Sequence, residues 1–170
     1  MKNLYFNRLL LFVFVAVVGF GCSKDDDDKV QPDLREQVVG NYDVDVKFIA
    51  TEGTVTLEGT MTVSKHGSDK NMLIATIDLG SWGDETIYLN KIVEASNGLG
   101  FDVVSRKDTD DDGDEFTLLG YDKSVELGSS YYHGMYDKND KEIFVGFSIV
   151  YTETIYSEFN YNMTVEGKKK

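Results

Sequence analysis

The chain reads as an all-β domain, an antiparallel up-and-down meander of about eight to nine strands that closes into a barrel or, as the alternative, folds into a sandwich. Three observations carry this reading. Apolar and polar residues alternate with a period of two almost without break from Val38 onward. Hairpin-length runs of Gly, Asn, Asp and Ser punctuate the alternation. No stretch after residue 40 carries the 3–4 spacing of a long amphipathic helix.

Taken in order, Asp33 is placed to cap a single helical turn containing Leu34 and Glu36. Tyr42, Val44, Val46 and Phe48 then alternate with polar residues and predict the first strand. Val55, Leu57, Met61 and Val63 predict the second. Further strands are expected over Met72 to Leu79, Glu85 to Val93, Leu99 to Ser105 and Glu115 to Tyr121. The last are expected over Val125 to Tyr136, Glu142 to Thr152 and Ile155 to Glu166. Glu52-Gly53, His66 to Asp69, Gly80 to Asp84, Ser96 to Gly98, Asp108 to Asp114 and Asp137 to Lys141 supply the turns. One-sided alternation means one buried sheet face, and a sheet of this size loses its edges by closing or by folding over. About eight strands close into a barrel just wide enough to fill with side chains or hold one small ligand.

The N-terminus reads differently. Lys2 and Arg8 precede an apolar run from Leu9 to Phe20. That run is about a dozen residues, the length of a signal-peptide core, whereas a membrane-spanning helix needs roughly 20. Val18-Gly19-Phe20-Gly21-Cys22 resembles a lipobox, with Gly19 where the motif prefers Leu. The expectation is residues 1–21 as a lipoprotein signal peptide, 22–32 as an acidic lipid-anchored tether and 33–170 as one domain. Lipidation is expected at Cys22, the only cysteine, so the membrane is a partner through acyl chains and the domain has no disulfide. Ser23, Lys24 and Asp25 to Asp28 resemble the export signal of Bacteroidetes surface lipoproteins, which implies the outer face of the outer membrane. A plain solvated tether is the alternative.

The net charge of −13 argues against nucleic acid as a partner, because phosphate recognition needs a basic surface. A hydrophobic content of 41% is too high for a disordered chain.

Leu34, Val39, Gly40 and Tyr42 read Leu-x₄-Val-Gly-x-Tyr at the entry to the first strand. Gly134-x-Tyr136 and the ending Tyr161 to Gly167 look like late hairpins of the same type. Together they resemble lipocalin-like (calycin-type) domains, here as a surface lipoprotein. The family also places an arginine from the last strand against the entry aromatic. This chain has only Lys168 to Lys170 at its end. The resemblance implies a barrel holding a small apolar or amphipathic ligand. A barrel packed solid, serving as an interaction or accessory subunit of a surface complex, is the alternative.

Few residues carry chemistry. Asp108, Asp110 and Asp112, followed by Gly113, fit the start of a calcium loop, but its twelfth position is Leu119 where a bidentate Glu belongs. Calcium is therefore the one cofactor considered, bound weakly, against a solvated acidic hairpin tip. His66 and His133 are the only histidines, and no Gly-x-Ser-x-Gly elbow is present, so no enzyme activity is expected. Trp82, at a glycine-rich loop tip, is the candidate for rimming a pocket, with a plug against the core as its other role.

Overall fold

The computed structural model describes residues 32–110, 112–121, 125–127, 130–152 and 160–170. The chain divides into Met1–Pro32 and Asp33–Lys170. Cys22, the acidic run behind it and the signal segment lie outside the described residues, as do Asp111 and 153–159.

A single helical turn α1 (Arg35–Val38) precedes the first strand. Leu34, not Asp33, is its N-cap, and Asp33 holds the turn from one residue before, its Oδ1 accepting the Arg35 N–H (3.1 Å) and its carbonyl the Glu36 N–H (3.0 Å). Strands follow as β1 (Gly40–Ala50), β2 (Gly53–Lys65), β3 (Leu73–Asp78), β4 (Asp84–Glu94) and β5 (Gly98–Val103). Then come β6 (Arg106–Thr109), β7 (Glu115–Gly120), β8 (Val125–Leu127), β9 (Ser130–Tyr132) and β10 (Gly134–Asp137). β11 (Glu142–Tyr151) and β12 (Tyr161–Lys169) complete the fold.

All pairings are antiparallel, and the order β10-β5-β4-β3-β2-β1-β12-β11 closes on itself through β10–β11. That closure selects the barrel over the sandwich. β7 and β10 both pair with β11, on successive halves of it. Tyr121 donates to Gly146 O (3.1 Å), and Gly146 donates to His133 O (2.8 Å). They are therefore two pieces of one stave: the chain leaves the wall after Tyr121 and is back in it at Gly134, one residue further along β11. β6 continues the line of β5 and pairs with β7. The barrel thus has eight stave positions.

Three details depart from the sequence reading. The acidic segment expected as a turn begins with strand β6. The strand expected over Val125 to Tyr136 is broken into β8, β9 and β10. The last strand runs on through the lysines, with Lys169 opposite Tyr42.

Alternation does what it predicts. Tyr42, Val44 and Val46 of β1, Met61 and Val63 of β2, and Leu73, Ala75 and Ile77 of β3 are buried, and polar neighbours lie outside. Tyr42, Phe101, Phe147 and Met61 are the largest fully enclosed side chains. These side chains point into the lumen, so the protein's own apolar groups line and occupy it.

One end is shut by α1. The Tyr42 hydroxyl donates to Val38 O. Lys169 reaches over Gly40, donates to Gln37 O (2.9 Å) and stands 5.8 Å from the Tyr136 ring. Arg35, 4% exposed, ties α1 to the β2–β3 turn through Asp69 O (2.6 Å). The Arg35 guanidinium beside Asp33 holds that carboxyl well below the usual carboxylate range.

Candidate functional site

One concavity lies on the outside of the barrel. It has a volume of about 660 Å³ and crosses the outer faces of β2, β1, β12, β11 and β10. Its lining is acidic because these strands send their polar alternates outward: Asp43 and Asp45 from β1, Glu58 from β2, Glu166 from β12, Glu142 from β11 and Asp137 from β10. Phe144 and Met135 supply an apolar strip.

The register makes this more than an acidic surface. Asp45 pairs with Glu58 on one side and with Glu166 on the other. Three carboxylates therefore lie side by side across adjacent strands, where directly opposed like charges are unfavourable. Glu166 at one end of the row, and two other acids nearby, are paired with lysines. Lys170 meets Asp43 at 2.8 Å, Lys168 meets Glu142 at 3.3 Å and Lys47 meets Glu166 at 2.7 Å. Among the described residues, no cation meets Asp45 or Glu58. The sequence holds this signal as Asp43-x-Asp45 and Glu58, but only the strand register reveals that they line up.

The second concavity, about 410 Å³, lies beside the bulge in β4, lined by Asp69, Asn71, Met72, Asn90, Lys91, Ile92 and Val93. Lys91 takes a positive φ of 50° there, and its ammonium meets Asp102 at 2.8 Å.

Trp82 sits on the 3₁₀ turn Gly80–Trp82 between β3 and β4 and is 72% exposed. It is not a plug, and it lines neither concavity. The acidic hairpin is held by its own contacts. Asp108 pairs with Arg106. Asp110 Oδ1 accepts the Asp112 and Asp114 N–H groups (3.1 and 2.9 Å), and its Oδ2 accepts the Tyr151 hydroxyl (3.2 Å). Burial, helped by that bond, pushes the Tyr151 hydroxyl up to about 12. Asp108, Asp110 and Asp112 are thus not brought together, and no group of three metal-ligating side chains occurs among the described residues.

Arg106 closes the seam where β6 parts from β4. Its Nη2 donates to Thr86 O (2.6 Å) and meets Glu85 at 3.1 Å, and its guanidinium stands 5.5 Å from the Tyr88 ring. Burial pushes the Glu85 carboxyl up despite that partner. His133 accepts the Val103 N–H at Nδ1 (3.3 Å) and lies over Gly120. No hydroxyl bonds to it among the described residues. His66 stands edge-on to Tyr88 at 5.5 Å. Among the described residues, no hydroxyl is hydrogen-bonded to either histidine.

Four tyrosines from the later part of the chain divide three ways. Tyr136 is core, and Tyr131 is 65% exposed. Tyr151 and Tyr161 line the end of the barrel opposite α1, packing on Phe116 (5.9 Å) and Phe48 (6.4 Å).

Comparison with protein-family models finds no match, and comparison with curated proteins finds none.

Proposed function

We propose that this is a lipid-anchored outer-membrane lipoprotein, displayed at the cell surface through Cys22, whose solid, lipocalin-like barrel binds a cationic protein partner on its outer face. It acts as a non-enzymatic interaction or accessory subunit. The observation that carries this reading is the row Glu58–Asp45–Glu166. A folded domain gains nothing by setting carboxylates opposite one another. A positively charged partner would turn that repulsion into attraction and would be steered toward it. The large inward side chains support the same reading, since Phe101, Phe147 and Met61 are wholly enclosed and occupy the lumen that a ligand would need. Support for the family comes from the closed eight-stave ring, the helical turn at its entry and Lys169, a last-strand cation beside Tyr42 where the family carries arginine. Support for the anchor comes from Cys22 and its acidic tether. Several acyl chains on one cysteine would hold the domain stably at the membrane.

The test is chemical crosslinking in native membranes. The wild-type chain should give an adduct with another protein, and the Asp45→Lys/Glu58→Lys chain should lose it. Only monomer under every condition, or an adduct indifferent to both charges, contradicts the proposal.

One observation favours a second reading. Phe48, Leu79, Ile149, Tyr151 and Tyr161 are only partly buried against the core. The pairs Phe48–Tyr161 and Phe116–Tyr151 would form the apolar mouth for a small amphipathic ligand. A saturable, one-to-one complex with a fluorescent fatty acid, weakened by Tyr161→Ala, would select this reading.

A further inference from the structure

The carboxylate row ends at a free strand edge. β2 pairs with β1 from Gly53 to Val63, but β3 joins it only from Thr60 onward. Among the described residues, 53–58 are therefore paired on one side only, and Gly59 is met on the other by Asp78 and Leu79. Ala50 and Gly53 flank the two-residue turn Thr51-Glu52, which makes them the first hydrogen-bonded pair of the hairpin. Hydrogen-bonded and non-bonded pairs then alternate. Thr54, Thr56 and Glu58 consequently turn their N–H and C=O groups away from β1, toward the edge. All three are exposed, and nothing among the described residues bonds to them from that side.

Natural edges are usually blunted by lysine, proline, a bulge or a covering loop. The sequence Thr54-Val55-Thr56-Leu57-Glu58 has no lysine and no proline, and its register with β1 is unbroken. It is a template for one more strand.

We infer that this edge accepts an extended segment of a basic protein partner by strand addition. The occupant's charge follows from the register. An added strand places one of its residues directly opposite Glu58, as the next member of the row Glu166–Asp45–Glu58. An acid there would lengthen the repulsion, and a lysine or arginine would end it. Main-chain bonds to Thr54, Thr56 and Glu58 give affinity, and alternate basic side chains over the acidic groove give specificity. A second copy of this chain fits less well, because each copy brings its own Glu58 and a charge of −13. This inference deepens the outer-face reading and rests on it.

The test uses the full chain in detergent and a labelled peptide of about seven residues alternating valine and lysine. Fluorescence anisotropy should show saturable binding at low salt. A valine–glutamate peptide of equal length should bind at least about tenfold more weakly. Thr56→Pro removes an outward N–H and no bond to β1, so it should weaken the basic peptide by about tenfold or more and leave the melting temperature near wild type. Glu58→Lys should weaken it similarly. If the proline variant does not fold, a peptide N-methylated at alternate amides carries the same test and should fail to bind. Equal binding by Thr56→Pro and by the methylated peptide overturns strand addition while leaving the acidic groove as the binding surface. No binding of the basic peptide, with a native-membrane adduct that still depends on Asp45, does the same. A dimer that Thr56→Pro converts to monomer makes the occupant a second copy and overturns the inference.

Discussion

Neutralising Glu58 should stabilise the free protein while weakening its complex. Glu58 and Asp45 are directly opposed on β2 and β1 and belong to a non-hydrogen-bonded pair, the kind in which side chains stand closer. Two unit charges about 5 Å apart repel by roughly 0.8 kcal/mol at the dielectric constant of water, and by more near a protein surface. Cross-strand pairs measured in sheets span about 0.2–1 kcal/mol. Glu58→Gln should therefore raise stability by about 0.5 kcal/mol at low salt, or roughly 1–3 °C in melting temperature for a domain of this size. Thermal unfolding followed by circular dichroism at two ionic strengths reads it. The gain should fade toward 1 M salt, where the screening length is about 3 Å. Asp45→Asn relieves both neighbours and should gain more than Glu58→Gln. A loss of stability in either variant at low salt would refute the reasoning, because it would mean that these carboxylates are satisfied within the fold.

Other consequences follow from packing and titration. Phe147→Ala should cost about 3–5 kcal/mol in urea unfolding, since the ring is wholly enclosed, and a cost below about 1.5 kcal/mol would mean that it borders empty space. A Cβ at Gly98 would run into the Tyr136 carbonyl, whereas at Gly146 it would meet ordinary neighbours at 3.4 Å, so Gly98→Ala should lower the melting temperature well beyond Gly146→Ala. Tyr151 titrates near 12 when folded against about 10 unfolded, so the unfolded chain gives up that proton first. Stability from this group is complete below pH 10 and is lost as the pH rises through 12, and Tyr151→Phe should flatten that alkaline limb in a melting-temperature profile. Millimolar calcium should leave the melting temperature unchanged, because Arg106 and the hairpin's own N–H groups already hold Asp108 and Asp110. A shift abolished by changing Asp108, Asp110 and Asp112 to Asn would contradict that.

Most of the barrel was legible because burial on one face writes a period of two into β1, β2, β3, β4 and β11. What was not legible depends on neighbours distant in sequence. Arg106 to Thr109 looks like the approach to an acidic turn, and it becomes a strand because β7 pairs with it. Tyr131-Tyr132-His133 has strand composition, yet the chain leaves the wall there. Tyr132 covers Gly100 of β5 and His133 covers Gly120 of β7, glycines that leave room on those neighbouring strands. Lys169 reads as the end of a basic tail, and only pairing with Tyr42 makes it a cap on the closed end. The carboxylate row is hidden for the same reason, since Asp45, Glu58 and Glu166 become neighbours only through register.

The measurement that bears most directly on outer-face binding around a solid lumen is native mass spectrometry of the full chain released gently from its own membranes. The account predicts a complex with a basic protein, separable by salt, and a barrel whose mass carries no small molecule once that partner has left. A small-molecule increment that survives salt and detergent exchange, with no protein partner at any ionic strength, would contradict it.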